Sequence, residues 1–114
     1  MKNNEIVQLT VEFSLSIISF CEILEQQKKY VIARQLLRSG TSIGANVWEA
    51  QNAESRADFL HKLKIAAKEM EETDYWLLLC KDSPSYPYDE KLSEQLLSIR
   101  KVLTKIISTV KKNL

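Results

Sequence analysis

Histidine is nearly absent: His61 is the only one in 114 residues. A di-iron helical bundle needs two Glu-x-x-His pairs and two further inward carboxylates, and His61 has Asp58, not Glu, three residues before it. That chemistry is excluded, and no metal or cofactor is expected. Cysteine is equally sparse. Cys21 and Cys80 are too far apart in sequence for a zinc or redox motif. Each has large apolar neighbours, so both read as reduced core residues. They fall near the C-terminal ends of two helices that would run parallel, so a contact between them is open. A disulfide would be unusual in a reducing compartment. There is neither a glycine-rich phosphate loop nor a nucleophile elbow, so the chain is expected not to be an enzyme.

No apolar run approaches the ~20 residues of a membrane span, and no membrane association is expected. The N-terminal MKNNEIVQLTVEF lacks the basic region and continuous apolar block of a signal peptide; the expected location is cytoplasmic. Charge of one sign is also missing overall. The formal net charge is +1, without the global electropositive signature of a nucleic-acid binder. Its distribution is uneven, however. From Gln95 onward the charged side chains are Arg100, Lys101, Lys105, Lys111 and Lys112, all basic, whereas Glu69, Glu71, Glu72 and Asp74 form an acidic run.

Proline and glycine are the remaining scarcities, two of each. Both prolines sit in DSPSYPYDE, residues 82–90, where they end one helix before Asp89 caps the next. Apolar residues recur at alternating three- and four-residue steps in four segments. These are Ile6, Leu9, Phe13, Ile17, Phe20 and Leu24; then Ala33, Leu36, Gly40, Ile43, Val47 and Ala50; then Phe59, Leu63, Ala66, Met70, Thr73 and Leu77; and finally Leu92, Leu96, Ile99, Leu103, Ile106 and Val110. Steps averaging 3.5 residues suit near-antiparallel helices with knobs-into-holes packing. Ser55 and Asp58 resemble a capping box at the third helix; EQQKK is a weaker boundary between the first two. Short links join antiparallel neighbours. The spacing therefore predicts one all-α domain over 1–114, an up-down-up-down antiparallel four-helix bundle with helices near 4–26, 29–53, 56–82 and 89–112.

Both glycines fall inside the second of these helices, in RSGTSIGANVWEA, residues 38–50. Each interior glycine costs ~1 kcal/mol relative to alanine, so each needs a compensating close approach. Projected at 100° per residue, Gly40 lies on the core seam with Leu36, Ile43 and Val47. Gly44 lies on a shoulder with Leu37, Thr41 and Trp48, and Asn46 lies on a small-polar shoulder opposite. Trp48, about 120° from the core direction, suits an interface better than a free surface. The expectation is that Gly40 serves packing within one subunit. Gly44, Asn46 and Trp48 are expected to meet another subunit, although a tight crossing inside a monomer is the simpler alternative. Arg38, Glu49 and Glu72 are expected to form a polar network, buried or at the interface.

The same stretch carries a resemblance. QLLRSGTSIGANV, the following EA, Ser55, Asp58-Phe59, Ile65-Ala66, Lys68-Glu69 and Glu72-Thr73-x-Tyr75-Trp76-Leu77 are similar to the bacterial 23S rRNA intervening-sequence, or S23-like, proteins. The resemblance implies a four-helix bundle that assembles into a ring-like homo-oligomer, a pentamer. A related branch comprises the accessory variability proteins of diversity-generating retroelements, basic pentameric barrels that bind nucleic acid and a reverse transcriptase. This chain departs from that branch in its near-neutral charge and its acidic run. The leading reading is a non-enzymatic homo-oligomeric scaffold or interaction module. The alternative is a nucleic-acid-binding accessory protein that contacts phosphates through Arg100, Lys101, Lys105, Lys111 and Lys112. An accessory role with an unknown protein partner is a third.

Overall fold

A computed structural model describes residues 4–114 and contains four helices: α1 (Glu5–Gln26), α2 (Tyr30–Ala50), α3 (Arg56–Asp82) and α4 (Glu90–Lys112). Each helix packs against two neighbours, α1 on α2 and α4, α3 on α2 and α4. The result is a four-cornered up-down-up-down bundle measuring 47 × 23 × 22 Å.

Local chemistry sets most of the helix ends. The Asn4 side chain accepts from Ile6 N, Ser55 Oγ from Asp58 N and Asp89 from Lys91 N, so α1, α3 and α4 each begin on a side-chain cap. At α3 a second bond supports the cap: Asp58 Oδ2 accepts from the N–H of Glu54, the residue before Ser55, at 3.1 Å. The α1–α2 junction is different. Lys28 takes a left-handed φ of 62°, and Lys29 N donates back to Leu24 O at 2.8 Å, closing α1 without the glycine usual at such a position. Helix α2 stops at Ala50, three residues before the expected 53. There Asn52 and Ala53 donate to carbonyls only three residues back, and Gln51 turns its side chain to Val47 O and Asn4.

The core follows the four apolar stripes, with Phe13, Ile17, Leu24, Leu36, Ile43, Leu63, Leu77, Leu92, Ile99 and Leu103 fully buried. The stripes differ from expectation at a few positions. Leu60 is buried while Phe59 is only half-buried; Leu9 and Ile106 sit at the core margin; Thr10 and Cys21 join the interior. Thr10 is accommodated because its hydroxyl donates back to Ile6 O and Val7 O. Cys21 and Cys80 are buried free thiols. Burial pushes the Cys21 thiol up to about 12 and the Cys80 thiol to about 11, and the negative charge of Cys80 or Glu25 nearby raises Cys21 further.

Helix α1 contains an 18-residue window long and apolar enough by composition to cross a membrane, although polar residues interrupt it and no continuous apolar run approaches that length. Only 33% of that window is buried within the subunit. The apolar residues of α1 thus divide between the core and an uncovered face.

Candidate functional site

The glycines of α2 determine how closely α1 can approach. A Cβ on Gly40 would lie 3.0 Å from both γ carbons of Ile17, in the fully buried centre of the bundle. A Cβ on Gly44 would lie 3.2 Å from Thr10 O and from Ser14 Oγ, and 3.3 Å from Thr10 Cβ. Both glycines therefore face α1 of the same chain. The expectation that Gly44 answers to a neighbouring subunit is corrected: its shoulder position is the side on which α1 lies. The missing side chain brings α1 close enough to leave a shallow groove of about 300 Å³ between the helices, lined by Val11, Leu15, Thr41, Ala45 and Trp48 beside Gly44.

Trp48 lies on the outer surface of this groove, 52% exposed. Around it are exposed Val11, Leu15, Ile18 and Leu37, with Leu15 the most open at 60%. Ile18 and Leu37 extend the face toward the other end of α1, where Glu22, Glu25 and Arg34 line an adjoining groove. The α1 half of this face was missed in sequence because attention to the core stripe set Val11, Leu15 and Ile18 aside. Their signal was present as three large apolar residues on the polar side of an amphipathic helix. Asn46 is elsewhere: half-buried, it donates to Ser42 O at 2.9 Å within its own helix.

The predicted polar network divides in two. Arg38 bridges α2 to α3 by pairing with Glu72 and with Glu69, the latter at 3.1 Å. Glu49 pairs instead with Lys62 at 3.0 Å. Both clusters lie at the surface, so a single buried Arg38–Glu49–Glu72 network is not formed. The Trp76 indole N–H and Arg38 hold the Glu72 carboxyl below its ordinary range, and Arg38 is raised in turn, mainly by Glu72. The buried polar contact between α2 and α3 is one that the sequence reading passed over: the Ser39 and Thr73 hydroxyls lie 3.0 Å apart, and Thr73 Oγ1 donates to Glu69 O.

The basic run of α4 is not uniform either. Arg100 is engaged by Glu71 and Asp74 of α3, and Glu71 is lowered by that hydrogen bond. Lys101, Lys105, Lys111 and Lys112 are exposed. His61 is exposed on α3, and among the described residues no group of three or more His, Cys, Asp or Glu could hold a metal.

These features define a helical-bundle protein whose distinctive surface is an apolar groove between α1 and α2. The chain belongs to the 23S rRNA-intervening sequence protein family, which matches residues 2–108. It is similar to a protein of unknown function from the S23 ribosomal protein family of Bacteroides thetaiotaomicron, whose crystal structure superposes with a TM-score of 0.87 at 42% identity. That match covers 95% of this chain and 99% of the other. Among curated proteins none matches.

Proposed function

We propose that this chain is a non-catalytic cytoplasmic assembly module that self-associates and acts as a scaffold, five copies being the number its family resemblance implies. The observation that carries this reading is the uncovered apolar face of Val11, Leu15, Ile18, Leu37 and Trp48. Exposed apolar surface of this kind is characteristic of interaction sites, and an exposed tryptophan is a typical interface anchor. A membrane would be a poorer cover, because Glu12 and Glu22 rise from the same helix and would have to be desolvated with it.

Burying the exposed half of Trp48 removes roughly 100 Å² from water, worth about 2 kcal/mol at each interface. Trp48→Ser should therefore weaken association about 30-fold. Light scattering at micromolar concentration provides the test: a mass above the monomer, reduced by Trp48→Ser, supports the assembly, and a monomeric parent protein refutes it.

The alternative nucleic-acid reading retains Lys101, Lys105, Lys111 and Lys112, whose ammonium groups form none of the ion pairs seen among the described residues. Arg100 is better assigned to holding α3 and α4 together. Phosphate contacts by these lysines would give an affinity for structured RNA that falls steeply with salt; no binding at low salt eliminates this reading.

A further inference from the structure

We draw no further inference here: the strongest candidate, the pair of buried thiols Cys21 of α1 and Cys80 of α3 in the bundle core, carries nothing, because no Cα of α1 comes within 8 Å of one of α3, too far for a disulfide without backbone movement, and among the described residues no third His, Cys, Asp or Glu joins them to hold a metal.

Discussion

Gly40→Ala isolates the packing on which the bundle axis depends. A methyl at this position gains about 1 kcal/mol of helix preference over glycine, so on propensity alone the variant should be more stable than the parent. The structure predicts the opposite sign. The added carbon would meet Cγ1 and Cγ2 of Ile17 at 3.0 Å and its Cδ1 at 3.3 Å. Ile17 is fully buried and β-branched, with little freedom at χ1 in a helix. A rotation that withdraws one γ carbon drives the other toward the contact or into packed neighbours. Overpacking of this sort costs about 1–3 kcal/mol, leaving a net destabilisation of roughly 1 kcal/mol. In a domain of this size that corresponds to a fall in Tm of roughly 4 °C.

Denaturant titration followed by far-UV circular dichroism, at fixed protein concentration so that assembly contributes equally, measures the change. The double-mutant cycle identifies its cause. Ile17→Val retains both γ carbons and should leave the penalty in place. Ile17→Ala removes them, at its own cavity cost of roughly 2–5 kcal/mol, and in that background Gly40→Ala should become neutral or stabilising. A Gly40→Ala variant about 1 kcal/mol more stable than the parent would show that the contact with Ile17 yields freely and that the glycine has no packing role.

Ser55→Ala removes the acceptor for Asp58 N at 3.0 Å, so it should destabilise the protein by about 1 kcal/mol, while Ser55→Asp should recover most of that in thermal melts. The buried thiols should resist alkylation at pH 8 and react only on unfolding. Because their protons are held more tightly in the folded chain, stability from this source is complete below the unfolded thiol range and is lost as pH rises above about 9; a stability profile that is flat between pH 8 and 10 in the parent and in Cys21→Ala alike would refute it. Glu72 has the opposite sign: its carboxyl is lowered by Trp76 and Arg38, so its contribution is present above the ordinary carboxylate range and is lost as pH falls through the lower folded value. The Arg38 side chain is half exposed and Glu72 is only partly covered, so solvent screens the pair; Glu72→Gln should cost under about 1 kcal/mol, and the parent's advantage over it should vanish in acid.

The parts of the molecule that were legible in the sequence are those written in local chemistry. Periodicity exposed the four core stripes, and Ser55, Asp58 and Asp89 marked helix starts because capping needs only a few consecutive residues. The α1–α2 junction was faint because Lys28 adopts a left-handed conformation that nothing in EQQKK announces, with neither glycine nor asparagine at that position. Gly44 shows the same limit at the level of packing. A helical projection gives the direction a residue faces but not which element stands there, and the shoulder shared by Gly44 and Trp48 contains two environments. Gly44, close to the helix axis, meets the backbone of Thr10, whereas the Trp48 ring extends past α1 into solvent. Glu49 was assigned to Arg38 on charge alone, when Lys62 of α3 was the cation within reach. The two interior glycines therefore have one cause, the near approach of α1. With Phe13, Ile17 and Leu24 of α1 turned to the core, the 100° step of the helix leaves Val11, Leu15 and Ile18 facing outward, and the close crossing at Gly44 sets Val11 and Leu15 beside Trp48.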